Sequence, residues 1–252
     1  WLHDNYYLYA RLAGSRINEL AANIRAKNCN DDTESLWLYS QNCGQLSSVD
    51  LIQNVKLSAY NCLIFCFSRN IVTPHEINII EYDLDCFLKK KTNNLLHIRE
   101  NYHSNPIIDV GGQITGTKVL PKHKLLYVNV RPWADENNFR EYYVPDTLDK
   151  IITRVIDINK CEILQNIVFE GHRAIVSQSI NCFRIYVDAN IEYVVSGSED
   201  NYAYIWNRIS GKLLAKLPHS NVVSCGTFIG SKLITCSDDH TIKVWNTLCK
   251  RK

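Results

Sequence analysis

His172 and Asp200 are the residues in this sequence whose types most suggest catalysis. A histidine acts as a general base when a neighbouring carboxylate orients its ring, as in the triads of serine hydrolases. The competing interpretation is structural: the two side chains belong to a polar network that holds short strands together. We favour the structural interpretation, because Asp200 lies in a segment that the chain repeats and a histidine lies upstream of each copy.

A glycine-containing segment at 111–118 comes close to a phosphate-binding loop. Such a loop has two glycines about five residues apart, followed by lysine and then serine or threonine. Here Thr117 precedes Lys118, so the order is reversed, and the next segment, 119–130, has the composition of a strand and not of a helix. The sequence therefore predicts a turn between strands and no nucleotide site.

Cys62, Cys66 and His75 raise the question of a metal site. The two cysteines lie four residues apart, on one face of a predicted strand, but no second cysteine or histidine pair follows at zinc-site spacing. We expect the ten cysteines to be reduced thiols, mostly in the core. The sequence also lacks the Gly-x-Ser-x-Gly and His-Glu-x-x-His motifs. It therefore predicts a protein that is not an enzyme, with no catalytic, metal-binding or cofactor-binding residues.

The composition excludes several classes of partner. The chain has 252 residues, of which 46% are hydrophobic and 21% charged, and its formal net charge is only +2. This balance does not suit a phosphate backbone, so we expect no nucleic acid as partner. No apolar run approaches the roughly eighteen residues of a membrane span, so we expect no membrane partner. Without a signal sequence or glycosylation sequon, we expect a cytoplasmic protein, with the nucleus as the alternative. The absence of methionine leads us to expect a piece of a longer protein.

The chain repeats itself near its carboxyl end. The segment at 195–207 aligns without a gap with the segment at 234–246, an offset of 39 residues. In each copy an aspartate precedes a tryptophan by six residues, and a histidine lies upstream. Periods of about 20 to 50 residues are typical of solenoids and propellers, so this spacing determines the predicted fold class.

Each copy has the pattern of a hairpin. A polar pair followed by asparagine, as at 199–201, favours a tight turn between two short strands. Alternation along the second strand sends Tyr202, Tyr204 and Trp206 to one face and the residues between them to the other. A buried tryptophan needs an acceptor for its indole N–H, which predicts a polar partner near Trp206.

The rest of the chain shows the same rhythm of short strands and polar turns more weakly. The predicted strands are Tyr6–Leu12, Ser35–Ser40, Asn61–Phe67, Glu76–Tyr82, Ile107–Val110, Leu125–Val130, Thr153–Ile158 and Ile163–Phe169. Arg16–Lys27 is the exception, because its apolar residues recur at helical spacing and predict a short helical insertion. Ala134–Lys150 contains a proline and several charges and predicts a long loop.

Arg131 and Trp133 are the candidate partner-binding residues, because arginine and tryptophan are the types that dominate protein interfaces. At the rim of a sheet they would anchor a protein partner. The alternative is that Trp133 packs under the long loop that follows it.

The two copies resemble the WD-repeat pattern of β-propeller blades, with Gly-His, an aspartate turn and a Trp-Asp ending, although Asn207 and Asn246 replace the final aspartate. The resemblance implies that a network of histidine, serine or threonine, aspartate and tryptophan holds each blade together. Its members would be His172, Ser196, Asp200 and Trp206 in the first copy, and His219, Thr235, Asp239 and Trp245 in the second.

The longer stretch from Ile107 to Asn246 resembles the carboxyl-terminal part of the F-box and WD-repeat protein 5 family. The matching segments are 107–116, 126–133, 171–174, 196–208 and 237–245, of which the run Tyr-Val-Asn-x-Arg-x-Trp at 127–133 is the most particular. The resemblance implies a substrate receptor of a cullin-RING ubiquitin ligase, in which an F-box docks on a Skp-type adaptor. The chain itself has no Leu-Pro-rich F-box segment. It also departs from the family's alternative Trp-Asp-x-Arg ending, because Ile209 stands where the arginine would be.

These observations predict an all-β protein: a WD-repeat β-propeller, incomplete in this chain, of about five blades. The chain as a whole, 1–252, is one propeller portion with blade-like units at about 1–55, 56–100, 107–170, 171–217 and 218–247. Its predicted function is recognition of a protein substrate by an SCF-type ubiquitin ligase, with the adaptor and cullin bound only through an F-box outside this chain. A general protein-interaction scaffold outside the ubiquitin system is the alternative.

Overall fold

The structure is a computed structural model that describes residues 46–56, 61–69, 75–82, 106–134, 146–174 and 184–246. Fifteen strands in these ranges form four antiparallel sheets. The first sheet contains β1 (Leu46–Lys56), β2 (Asn61–Arg69), β3 (Glu76–Tyr82) and β4 (Ile108–Asp109), and the second contains β5 (Gly112–Leu120), β6 (Leu125–Pro132), β7 (Ile152–Asp157) and β8 (Glu162–Phe169). The third contains β9 (Val187–Ala189), β10 (Tyr193–Ser196), β11 (Tyr202–Asn207) and β12 (Leu213–Pro218), and the fourth contains β13 (Val223–Ile229), β14 (Lys232–Ser237) and β15 (Ile242–Asn246).

Each sheet is a meander whose strands pair in chain order. The repeated polar segments form the predicted hairpin turns, between β10 and β11 and between β14 and β15. Asn201 and His240 occupy equivalent places in these turns with positive φ angles of 70° and 65°. Asparagine and histidine tolerate this left-handed conformation better than most residues, which explains why a short polar segment reverses the chain here.

The sheets pack face to face, and a separate apolar cluster fills each interface. Between the first and second sheets lie mainly isoleucine and valine side chains, including Ile77, Ile108, Val128 and Val130. Between the second and third lie the aromatic residues Tyr127, Phe169, Tyr204 and Trp206, and between the third and fourth lie Val195, Ala203, Val223 and Leu233. A fully buried side chain of this size contributes about 1.5–3 kcal/mol, so these interfaces hold the sheets together.

The first strands of the last three sheets, β5, β9 and β13, are neighbours along the inner edge of the stack. Two glycines allow the backbones to come close there. A Cβ atom on Gly116 would lie 2.5 Å from the Ile185 carbonyl oxygen, and one on Gly197 would lie 2.0 Å from that of Val223. Successive antiparallel meanders that meet along their first strands are the blades of a propeller. This confirms the predicted all-β propeller architecture.

Most predicted strands within the described residues are confirmed. Two predictions about the second sheet are wrong. The segment 111–118, predicted as a turn, is mostly strand β5, because Gly112 and Gly116 lie against neighbouring backbone and pair with β6. The predicted strand at 119–130 is interrupted by a 3-10 helix, Pro121–His123, since proline cannot continue the ladder and Lys124 adopts a left-handed φ of 54°.

The predicted units match the sheets only in part. The second and fourth sheets fall within 107–170 and 218–247, whereas β12 of the third sheet ends at Pro218, one residue beyond the unit 171–217. The division between 1–55 and 56–100 cuts through the first sheet, because β1 pairs with β2 in register from Leu46–Arg69 to Lys56–Asn61. The helix predicted at Arg16–Lys27 and the strands predicted at Tyr6–Leu12 and Ser35–Ser40 lie outside the described residues. Within the described ranges, no helix is long and apolar enough to cross a membrane.

Candidate functional site

The second copy of the repeat contains a continuous chain of side-chain hydrogen bonds from Trp245 to Asp239. The indole N–H of Trp245 donates to the Thr235 hydroxyl oxygen at 2.8 Å, and that oxygen lies 2.7 Å from Nε2 of His219. On the other side of the ring, Nδ1 of His219 lies 3.1 Å from a carboxylate oxygen of Asp239. The structure therefore brings together all four residues that the sequence predicted for this copy.

Asp239 accepts the hydrogen bonds that hold the turn of the second copy. Its carboxylate accepts hydrogen bonds from the hydroxyl and the backbone N–H of Thr241, at 2.6 and 2.9 Å, and from the backbone N–H of Ser220 at 2.9 Å. These donors, with the Thr241 hydroxyl foremost, hold the pKa of Asp239 well below its ordinary value. The histidine–carboxylate contact thus belongs to a structural turn.

The first copy uses the same residue types differently. The indole N–H of Trp206 donates to the backbone carbonyl of Glu170 at 3.1 Å, and Asp200 accepts the phenol O–H of Tyr204 at 2.5 Å. The second copy has Lys243 at the position of Tyr204, which explains why its aspartate remains available to histidine. The predicted network of His172, Ser196, Asp200 and Trp206 therefore does not form a single hydrogen-bonded chain.

His172 is buried against the rings of Tyr204 and Trp206, with ring centroids 6.0 and 5.1 Å away. Neither of its ring nitrogens has a hydrogen-bond partner in the described part of the chain. Burial lowers the pKa of His172 to about 3, so the ring is neutral at physiological pH. A ring enclosed in this way packs as an aromatic residue, and its Nε2 and Nδ1 are both buried.

A buried polar junction that the sequence did not predict joins the second and third sheets at Asn129. Its amide nitrogen donates to the Ser196 hydroxyl oxygen at 2.7 Å and to the Ile185 carbonyl at 2.9 Å. Its amide oxygen accepts the Thr153 hydroxyl at 2.6 Å. The Thr115 hydroxyl adds a longer contact of 3.4 Å to the Ile185 carbonyl. Because the side-chain amide of Asn129 both donates and accepts, it ties β6, β7 and β10 together.

Arg131 and Trp133, the predicted partner-binding residues, are both in the interior. Their exposed fractions are 2% and 4%. A guanidinium nitrogen of Arg131 lies 3.5 Å from a carboxylate oxygen of Glu199, which is buried too. Trp133 packs edge-on to the His75 ring, 6.1 Å away, and its backbone pairs with Thr147 after the segment 135–145. An anchor for a protein partner must be accessible, so this placement does not suit the role that the sequence predicted for the two residues.

Asp188 connects the inner strands of three sheets. One carboxylate oxygen lies 2.7 Å from the Lys118 ammonium of β5. The other accepts the hydroxyl of Thr227 and the backbone N–H of Phe228 in β13, at 2.8 and 2.9 Å. Since Asp188 belongs to β9, this single carboxylate links the second, third and fourth sheets at their common edge.

The turns at one end of the third sheet present exposed apolar side chains from a rigid backbone. Ile191 and Ile209 are 65% and 75% exposed. Asn190 accepts backbone N–H groups of its turn at 2.7 and 2.8 Å, and Asn207 does so at 2.9 and 3.1 Å. Arg208 joins the two turns, because its side chain donates to the Ile191 carbonyl at 2.8 Å. We call Ile191 and Ile209 the isoleucine rim.

The polar clusters described above have no geometry suited to a metal ion. Across the ranges that the structure describes, no group of three or more histidine, cysteine, aspartate or glutamate side chains is placed to hold one. The described polar clusters instead satisfy hydrogen bonds within and between sheets.

A family model matches two consecutive segments of the chain, each of which ends at the last residue of a strand, β11 or β15. The model described as "WD domain, G-beta repeat" matches residues 164–207 and 211–246. The chain contains WD40 repeats. The first repeat ends with Trp206 and Asn207, and the second contains the complete hydrogen-bonded chain from His219 to Trp245. The strands from β9 to β15 lie within these two matched repeats.

Similarity to curated proteins extends beyond the two WD40 repeats. The chain is 34% identical over 145 residues to F-box/WD repeat-containing protein 5 of Rattus norvegicus, an alignment that covers 56% of this chain and 25% of that protein. The protein of the same name from Homo sapiens is 33% identical over the same length, with the same coverage. The matched region thus spans about a quarter of the length of these relatives.

Among solved structures, the WD40 β-propeller domain of Doa1 matches with a TM-score of 0.46 at 14% identity, over 80% of this chain and 55% of that one.

Proposed function

We propose that this chain is the propeller portion of a substrate-recognition subunit of a cullin-RING, SCF-type ubiquitin ligase. It binds a protein substrate and presents it for ubiquitination and proteasomal degradation, while other subunits carry out the transfer. The observation that carries the proposal is the 145-residue similarity to a protein that combines, by its name, an F-box with WD repeats. The contact between His219 and Asp239 supports the proposal indirectly, because it stabilises a turn of the fourth sheet.

The isoleucine rim is the surface that we propose for the protein substrate. Its two side chains project from turns whose backbones are held by asparagine side chains, so little backbone entropy is lost when a partner covers them. Exposed apolar side chains on a rigid frame are typical of protein-binding surfaces. Arg208 fixes the spacing of the two turns through the Ile191 carbonyl.

The adaptor is the second partner of the proposal. We propose that a Skp-type adaptor and its cullin bind through an F-box outside the sequence of this chain, and that the assembly works in the cytoplasm or the nucleus. The propeller and the adaptor would then occupy separate parts of the full-length protein, so substrate binding and adaptor binding are separable by mutation.

Affinity purification of the full-length protein from cells treated with a cullin inhibitor tests both parts. We expect the Skp-type adaptor and a cullin to copurify together with substrate proteins. The double variant Ile191→Asp, Ile209→Asp is expected to lose substrates and retain the adaptor. Leu214→Asp is the matched control, because Leu214 is also exposed but lies on the outer strand β12.

Recovery of protein partners without adaptor or cullin would favour the alternative, a WD-repeat scaffold outside the ubiquitin system. If the double variant retained every substrate, the isoleucine rim would not be the substrate-binding surface. The proposed role in a ubiquitin ligase would be unaffected by that result.

A further inference from the structure

Cys225 and Cys236 face each other across the hairpin of the fourth sheet. They are register partners in the antiparallel pair of β13 and β14. Directly opposed residues of such a pair have Cα atoms about 4.5–5.5 Å apart and side chains on the same face. Disulfides need Cα separations of about 4.4–6.8 Å, so this pair meets the requirement without backbone movement.

The face that carries these thiols is accessible to small reagents. Cys225 and Cys236 are both only half-buried. The register partner of Cys236 on β15 is Ile242, which is 70% exposed. Cys161 offers a contrast within the described chain, because it is buried and its thiol donates to the Ile158 carbonyl at 3.4 Å.

We propose that Cys225 and Cys236 are a redox modification site that forms a reversible cross-strand disulfide in response to a peroxide. One thiolate attacks a peroxide oxygen, which gives a sulfenic acid and releases water or an alcohol. The second thiol then attacks the sulfenic sulfur, forming the S–S bond and releasing water. For hydrogen peroxide, two thiols and one peroxide become one disulfide and two waters. A dithiol reverses the step by exchange.

The rate of this reaction depends on pH in a defined direction. Burial, and then the neighbouring Cys236 side chain, raise the pKa of Cys225. Because the thiolate is the reacting species, oxidation accelerates as the pH rises. The disulfide closes a short loop around the β13–β14 turn next to Thr235, so oxidation stabilises the hairpin that carries the second WD40 network.

Peptide mapping tests the site with a direct readout. Trypsin cleavage after Lys216, Lys232 and Lys243 places Cys225 in the peptide 217–232 and Cys236 in the peptide 233–243, each with a single cysteine. The full chain is treated with hydrogen peroxide, its remaining thiols are alkylated, and it is digested without reductant. We expect the two peptides to appear covalently joined, with loss of both alkylated forms, and dithiothreitol to restore them.

Variants distinguish this pairing from general oxidation. Cys225→Ser and Cys236→Ser should each abolish the joined peptide, whereas Cys161→Ser should leave its yield unchanged. Alkylation of both cysteines after peroxide treatment would overturn the proposal, as would linkage of either one mainly to a different cysteine. The mapping of the unmodified chain decides the matter even if a variant fails to fold.

Discussion

The side-chain amide of Asn129 donates a 2.7 Å hydrogen bond to the Ser196 hydroxyl oxygen, across the interface between the second and third sheets. Apolar packing alone allows neighbouring sheets to slide, since dispersion and hydrophobic contacts have little directionality. The hydrogen bonds of Asn129 to Ser196, Thr153 and the Ile185 carbonyl are directional. They therefore fix the register of the two blades as well as stabilising them.

Replacing Asn129 with alanine should be among the most damaging substitutions in the chain. It would leave the Thr153 hydroxyl and the Ile185 carbonyl buried with fewer partners and would open a small cavity. We expect a loss of about 3 kcal/mol in the free energy of unfolding, measured by urea denaturation. Asn166→Ala is the control, because Asn166 is exposed on β8 and should change stability by less than about 0.5 kcal/mol. Equal effects of the two variants would contradict a buried junction.

The Thr235 hydroxyl supports two partners, so its removal should affect both. Thr235→Val keeps the shape but leaves the Trp245 indole N–H and Nε2 of His219 without their partner. We expect a loss of about 1–3 kcal/mol in the free energy of unfolding. Thr241→Val removes a hydroxyl from an exposed residue of the same repeat, and we expect a smaller loss. If the two losses are equal, the network contributes no more than the exposed turn.

The second WD40 repeat was predictable because its network is made by the residue types that the repeat pattern supplies. The first was predictable only as a hairpin. The first copy has Tyr204 where the second has Lys243, and the Tyr204 hydroxyl donates a hydrogen bond to Asp200. The Trp206 indole N–H donates to the Glu170 carbonyl instead of a side chain. Such a backbone acceptor leaves no signature in the sequence.

The roles of Asn129 and Arg131 could not be predicted from the sequence, for a different reason. The partners of Asn129 lie 56 and 67 residues away in the chain, so no local pattern places them beside it. Arg131 is of a type that favours both interfaces between proteins and buried pairs between sheets. Its role depends on Glu199, which reaches it only when two blades pack.

The Arg131–Glu199 pair should behave as a buried ion pair. Glu199→Leu alone leaves a buried guanidinium without its partner's charge, and we expect a loss of about 3–5 kcal/mol. The double variant Arg131→Met, Glu199→Leu removes both charges and should recover a substantial part of that loss. A double-mutant cycle of unfolding free energies measures the coupling. Strictly additive losses would contradict an energetic link between the two side chains.

His172 should make the protein less stable in mild acid. Burial lowers its pKa to about 3, whereas the unfolded chain binds a proton near the ordinary histidine value of 6.5. The contribution of the neutral ring is therefore complete above about pH 6.5 and is lost as the pH falls toward 3. One such proton reduces the free energy of unfolding by up to about 1.4 kcal/mol per pH unit within that window.

His172→Phe separates this effect from the titration of other groups. Phenylalanine keeps a ring against Tyr204 and Trp206 but cannot take up a proton, so the stability difference between the variant and the original chain should grow in favour of the variant from pH 7 downward. Urea denaturation at several pH values above about 4.5 measures it, because ordinary aspartates remain ionised there. His123→Phe, at an exposed position in the 3-10 helix, is the matched control. A pH-independent difference for His172→Phe would show that the buried ring binds a proton as readily as the unfolded chain does.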